Sequence, residues 1–496
     1  MLYCRMAIMM VVSLYSSRIV LRSLGVEDYG VYNVVGGLVT TFSILSASLC
    51  AAINRFLTFE LGRGDADRLR RVFSTSITIQ ALLSVVIVLL AETIGLWYVN
   101  HVMVVPEGRL AAANWCYQFS LITFVVNLLN VPYSSAVISH EKMSLFAYLG
   151  IFEGLSVLLI AFIISWSSFD RLVLYGALLC VLAIAIRGIY SVYCRKHFDE
   201  ARFTISWDKE MIQNMVGFAG WNFIGAGSGV LRDYGVTLLL NLYYGPLVNA
   251  ARGLSNTVNG AVSRFSTNFM TAVNPQITKS YANKDNENMF NLIFRSSRFS
   301  VYLLLLLSVP ILLNTSFVLN IWLTEVPEHT SLFVKLILIY TITEAISYPL
   351  VTAMLATGDI KNYQLIVGGL QCLNFPLAWV VLKCGLFPES VILVSIIVAH
   401  CCFGARLVML KKMIGLDAKS FFFDVYVRIV LVGAAGLVLP LVLRFMLPYG
   451  WLNFTIVTLC SLCTVCVSVL YVGCNKAERR YIYDLIHSYI GRIRND

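Results

Sequence analysis

Asn249, Arg252, Asn256, Asn259, Ser263 and Thr267 follow one another at intervals of three and four residues in an otherwise apolar stretch, with Arg264 beside them. On a helix that spacing gathers amides, hydroxyls and a guanidinium onto one face. Amides and hydroxyls match the donors and acceptors of a polar ligand. A guanidinium presents a planar fork of donors that suits an anion.

The chain that must position this face has 496 residues, is 58% hydrophobic and 13% charged, and has a mean hydropathy of +0.78. A soluble protein would be roughly a quarter charged. Apolar runs of about 20 residues, enough to cross the hydrocarbon core, recur along the chain. The fold class is therefore an all-α polytopic membrane protein. The first run, residues 6–21, has no small-residue cleavage site after it and leads into another span, so it reads as a span rather than a secretory leader.

Hydropathy, turn and charge signals predict about fourteen spans, from 2–22 to 452–473. Alternate loops differ in charge. One set holds most of the loop Lys and Arg, including Arg68, Arg70, Arg71, Arg195, Lys196, Lys411, Lys412, Arg479 and Arg480, while the other has little beyond Arg22, Arg109, Arg171, Lys383 and Arg444. By the positive-inside rule the rich loops and both termini are cytoplasmic. The formal net charge of +10 is then explained by topology and anionic lipid, with no nucleic acid required.

The chain also contains an internal echo. Tyr29-Gly30, Asn33-Val34-Val35-Gly36-Gly37-Leu38, Asn54-Arg55 and Phe73-Ser74-Thr75-Ser76 are followed in the same order by Tyr244-Gly245, Asn249-Ala250-Ala251-Arg252-Gly253-Leu254, Asn274-Pro275 and Phe294-Arg295-Ser296-Ser297. The offset covers six spans, an even number, so the two copies share one orientation. Parallel repeats related by an axis along the membrane normal are one transporter architecture. The expected layout is an N-lobe over 1–210, a C-lobe over 211–424 and two appended helices with a tail over 425–496. Arg252 takes the repeat position that Gly36 holds in the first copy, so the cationic character is unequal between lobes.

Charged residues within spans sharpen this reading. Burying a lone arginine near the bilayer centre costs roughly 3 kcal/mol or more, so it should face water, a partner or an anion. Arg18, Arg252 and Arg264 have no acid nearby in sequence; anion binding and pairing with Glu153 or Glu344 both remain open for them. Glu153 and Glu344 are also candidate coupling carboxylates for H+ or Na+. Arg232 precedes Asp233, and adjacent helix residues do not face each other, which leaves their pairing open.

Other chemistry is poorly supported. Cys460, Cys463 and Cys466 have a metal-ligand look but lie on an apolar helix without further ligands, so no metal is expected. The six histidines are dispersed. Gly225-Ala226-Gly227-Ser228-Gly229 lacks the strand and spacing of a dinucleotide fingerprint, and no ATPase phosphate loop is present. The predicted outer loops are too short for a catalytic domain. Neither an enzyme nor a cofactor is expected.

The segments RIVLRSLGVEDYGVYNVVGG (18–37), RFLTFELGRGD (55–65) and ARGLSNTVNGAVSRFSTNFMTAVNPQITKSYANKD (251–285) resemble the polysaccharide-transporter branch of the multidrug, oligosaccharidyl-lipid and polysaccharide exporter (MOP) superfamily. They are most similar to O-antigen or capsule repeat-unit flippases. The resemblance implies movement of an undecaprenyl-diphosphate-linked oligosaccharide from the inner to the outer leaflet of the bacterial inner membrane, through a V-shaped cavity between two six-helix lobes. In related flippases of peptidoglycan precursors, arginines on the first, second and eighth helices engage the diphosphate. By helix, Arg18, Arg55, Arg252 and Arg264 are the matching residues here, with Asn33, Asn249, Asn256, Asn259 and Ser263 as the polar lining. Membrane lipids, a polysaccharide polymerase and glycosyltransferases are the implied partners of a monomeric chain. The alternatives are a cation-coupled multidrug exporter of the same superfamily, a peptidoglycan-precursor flippase, and a membrane enzyme or scaffold without transport.

Overall fold

The computed structural model describes residues 43–101, 103, 108–201, 208–323, 326–448, 450–480 and 484, with scattered positions between 12 and 36; the side chains of 43–45, 234, 238, 241, 245–247, 249 and 250 are outside the described set. Arg18, Asn33 and the Asn249 side chain therefore lie outside it. Among the described residues every regular element is helical, as expected where no water reaches the backbone and each segment must satisfy its own amides and carbonyls.

The helices are α1 (Ser43–Arg63), α2 (Ala66–Leu90), α3 (Leu96–His101), α4 (Leu110–Ser139), α5 (Met143–Trp166), α6 (Arg171–His197), α7 (Lys209–Ala282), α8 (Asn286–Leu313), α9 (Thr315–Trp322), α10 (Thr330–Ile346), α11 (Tyr348–Thr357), α12 (Lys361–Cys372), α13 (Asn374–Lys383), α14 (Ser390–Ile414), α15 (Ala418–Phe421), α16 (Arg428–Met446) and α17 (Trp451–Ser468). Ten helical stretches among the described residues are long and apolar enough to cross a membrane, so the chain is a multi-pass membrane protein. They coincide with expected spans three to six and nine to fourteen. The first span and the start of the second fall largely outside the described residues, and the seventh and eighth lie within α7.

Two compact units make up the chain: Met1–Ala226 with Thr278–Lys284, and Gly227–Ile277 with Asp285–Asp496. The first unit is built around Ile87, Ala91, Cys116, Tyr117, Leu128, Ile160, Ile164 and Leu172. Between α2 and α3 the ladder widens to a π-turn at Ala91–Gly95, and the buried Tyr117 hydroxyl donates to the Ala91 carbonyl at 2.8 Å. A side chain at Gly95 would meet that same hydroxyl, its Cβ falling 2.1 Å from the oxygen. Gly62 is also confined, since a Cβ there would sit 2.9 Å from the Lys279 Cα.

Internal duplication reappears in matched turns. Asp65 caps α2 by accepting from the Arg68 amide at 3.0 Å, and Asp285, about 220 residues on, caps α8 by accepting from the Asn288 amide at 3.1 Å. A positive φ precedes each cap, at Gly64 (+73°) and Lys284 (+58°). At the opposite helix ends of the first unit, the Arg109 guanidinium holds both Asp28 and Asp170. In the second unit His329 and Glu389, at the corresponding positions, meet at 2.7 Å. Like-placed ends in each copy are thus tied by an ion-pair geometry across the same two turns.

The second unit has a core of Val236, Leu239, Leu240, Val248, Ala251, Phe333, Ile337, Ala378, Leu382 and Val391. At its other end, Glu478 is buried against Arg298 at 2.6 Å. Glu478 also accepts from the Asn475 amide while Asn475 accepts from the Glu478 amide, the reciprocal box that starts a helix.

Candidate functional site

Residues Lys209–Ala282 are all in helical conformation, but they do not follow one axis, because the Arg252 guanidinium donates to Thr237 Oγ1 at 2.6 Å and to the Asp233 carbonyl at 3.2 Å. Fifteen residues of straight helix would separate Thr237 from Arg252 by about 22 Å, far beyond an arginine's reach. The chain therefore reverses between them, where the sequence has Gly245-Pro246. Proline has no amide proton to continue the ladder. Leu240 and Val248 share one apolar cluster on either side of the reversal, and the Tyr244 hydroxyl fastens it to the Leu386 carbonyl at 2.6 Å.

The two limbs of α7, with α10 and α14, enclose a cavity of about 460 Å³ within the second unit. Its polar lining is Arg232, Asp233, Thr237, Arg252, Asn256 and Asn259, completed by Tyr340 and Ser395. Arg232 makes a two-pronged pair with Asp233, at 2.9 and 3.1 Å, and lies over the Tyr340 ring at 5.6 Å. Its charge is compensated at close range. Arg252 is different: it is 9% exposed, its two bonds go to neutral oxygens, and its Nε has no hydrogen-bond partner. An almost fully buried guanidinium with spare donors is an anion-seeking group. Asn259 accepts from Thr341, which leaves its amide donors for other partners, and Asn256 is exposed.

Of the residues singled out in the sequence, Arg252, Asn256 and Asn259 come together in this cavity. Ser263 is half-buried, its hydroxyl directed at the Gly260 carbonyl, and Arg264 is exposed, about 18 Å from Arg252 along the helix axis; neither is among the cavity's lining residues. Arg55, in the first unit, lies over the rings of Phe56, Phe59 and Phe218 at 4.6, 4.7 and 5.8 Å, a cation–π setting. Glu153 is exposed on α5. Glu344 is half-buried one turn beyond Tyr340, where its charge acts on Arg232 and Arg406.

Sequence reasoning left several of these contributors aside. The Arg232–Asp233 pair does form, because a long arginine side chain curls back over its neighbour's carboxylate. Arg406, 2% exposed with Nε and Nη1 unpartnered, is an intramembrane cation that its place inside the twelfth expected span already signalled. Thr237, Tyr340 and Ser395 had no distinguishing spacing.

No protein-family model matches the chain. Among curated proteins it is similar to the uncharacterized membrane protein EpsK of Bacillus subtilis (strain 168), with 22% identity over 124 residues, 25% of this chain and 24% of that protein. The match thus spans about a quarter of that relative's length. Solved structures resemble it over far more of the chain. An outward-facing multidrug resistance MATE family transporter of the MOP superfamily superposes with a TM-score of 0.70 at 12% identity, covering 84% of this chain and 96% of that one. A MATE in complex with MaD3S gives 0.70 at 11% identity, over 83% and 95%. A MOP superfamily transporter from Pyrococcus furiosus Vc1 (DSM3638), whose binding pocket of reverse polarity suggests a different function for it, gives 0.67 at 13%, over 83% and 95%. The fold is the two-lobed helical fold of MATE and MOP transporters.

Proposed function

We propose that this chain flips a lipid-linked oligosaccharide bearing a diphosphate, of the O-antigen or capsule repeat-unit type, from the inner to the outer leaflet of the bacterial inner membrane by alternating access. The observation that carries the reading is Arg252: a buried guanidinium whose hydrogen bonds go only to neutral oxygens and whose Nε has no hydrogen-bond partner, in a cavity whose other polar groups are amides, hydroxyls and the Arg232–Asp233 pair. Arg252 supplies the positive charge for the diphosphate, and Asn256 and Asn259 supply donors and acceptors of the kind that sugars use. The transporter fold of its structural neighbours supports movement rather than catalysis. The transporter whose pocket of reverse polarity suggests a different function for it supports the idea that chains of this fold differ in pocket polarity and function. Glu344, near two arginines, is the carboxylate assigned to coupling with H+ or Na+.

Replacing Arg252 with Ala in cells that depend on this chain tests the reading. Surface polysaccharide is expected to fall at least tenfold, with lipid-linked oligosaccharide accumulating and the protein still present in the membrane. Unchanged surface glycan would overturn it. A chain-dependent efflux of cationic dyes would instead favour the multidrug-exporter reading.

A further inference from the structure

A second polar cavity lies in the same unit, at the far end of α8 from the Arg298–Glu478 pair. It measures about 90 Å³ and is lined by Asn314, Ser316, Phe317, Arg444, Leu447 and Asn453. That is about three water volumes, enough for one tetrahedral oxyanion.

Five features of this cavity favour an anion. Asn314 is 7% exposed, yet its Nδ2 donor has no hydrogen-bond partner; a buried amide donor left unpaired is costly. The first turn of α9 opens at Asn314 without a side-chain cap, so its leading amides are available. Arg444, half-exposed in the last turn of α16, forms no salt bridge among the described residues. Asn453 turns its own amide protons toward the Arg444 and Leu447 carbonyls, at 3.2 and 2.8 Å, which engages the negative end of α16 that would otherwise repel an anion. No carboxylate is among the described lining residues.

What surrounds the cavity says where that anion comes from. Phe445 and Met446 are 81% and 75% exposed, and Trp451 and Leu452 are 66% and 65% exposed. Trp451 also packs its ring on Phe317 at 5.2 Å. An apolar rim with a tryptophan beside a polar pocket is the arrangement of a membrane interface. A soluble phosphate has no use for that rim, whereas a lipid's chains would cover it. We propose that this cavity is a binding site for the phosphate of an anionic phospholipid, held by Arg444, the Asn314 amide and the first turn of α9, with the acyl chains lying over Phe445, Met446 and Leu452. The site is independent of the Arg252 cavity and of the substrate assigned to it.

The test uses the full chain in detergent, with phosphatidylglycerol titrated in and bound lipid read by native mass spectrometry. Arg444→Gln is expected to weaken retention about tenfold, the order of one charge-assisted hydrogen bond. Asn314→Asp, which sets a carboxylate against the phosphate, should weaken it at least as much, and Arg444→Lys should retain most of it. Thermal unfolding of each variant separates lost binding from lost folding. Equal retention by wild type and Arg444→Gln overturns the proposal. Displacement of the lipid by millimolar inorganic phosphate also overturns it, by assigning the cavity to a soluble oxyanion.

Discussion

Thr237 Oγ1 accepts from Arg252 Nη1 at 2.6 Å while donating to the Asp233 carbonyl at 2.8 Å. One hydroxyl on the first limb of α7 therefore aims the cation of the second limb while resting on its own limb's backbone. It orients the guanidinium without cancelling its charge, as a carboxylate would. Thr237→Val keeps the shape and removes the acceptor. Transport is expected to drop about tenfold, the value of one hydrogen bond to a charged group, with Thr237→Ser close to wild type. If Thr237→Val transports normally, the hydroxyl does not position Arg252.

Arg109 ties together Asp28 and Asp170 of the first unit. Arg109→Gln is expected to cost about 1–2 kcal/mol, since charge-assisted bonds are discounted by partial exposure; a thermal melt in detergent reads it. Burial by itself would raise the Asp170 carboxyl, but the Arg109 hydrogen bonds and the amides of Val173 and Leu172 outweigh it and hold the group below its ordinary value. A depressed carboxylate contributes stability above its unfolded value of about 3.9 and loses it as pH falls through the lower folded value. The clasp should therefore hold unchanged from pH 7 to pH 5 and weaken below about 4. A loss of melting temperature between pH 7 and 5 that disappears in Arg109→Gln would contradict this.

Arg298 and Glu478 are 5% and 4% exposed at their side chains. Glu478→Gln leaves Arg298 buried without a counter-charge and is expected to cost about 3–5 kcal/mol. The double variant Arg298→Met with Glu478→Leu removes both charges and should recover most of that stability. Protein yield and unfolding temperature report both, and a double variant as weak as the single one would show that the box with Asn475, rather than the charge pair, holds this end.

Gly95→Ala drives a methyl into the buried Tyr117 hydroxyl. Overpacking of this kind costs about 1–3 kcal/mol, and here it should also break the bond from Tyr117 to the Ala91 carbonyl. Tyr117→Phe removes that oxygen, so Gly95→Ala placed on Tyr117→Phe should cost less than on wild type. Additive losses in the melting temperatures would mean that the hydroxyl is not what excludes the side chain.

The polar face on the eighth expected span was legible because helical periodicity is written into neighbouring positions. Arg252, Asn256 and Asn259 could be named from spacing alone, and so could the duplication, whose matched caps Asp65 and Asp285 reappear as matched turns. The Arg232–Asp233 pair was not legible, because the rule for helix neighbours describes Cβ directions and not the reach of a long side chain. Thr237 and Tyr340 were hidden for a different reason. Each belongs to a helix face with no unusual composition and matters only for what lies opposite it.

From the sequence came the membrane class, the all-helical architecture, the two copies and the cationic face, because hydropathy, periodicity and repetition are properties of the covalent chain read over a few dozen residues. The tertiary structure decided that Arg252 meets a hydroxyl and a carbonyl rather than Glu344, and that Arg264, on the same helix, stays outside the cavity. That outcome depends on where α7 reverses and on which faces of α10 and α14 close over it. Contacts between segments far apart in sequence select those faces, and no local pattern records them.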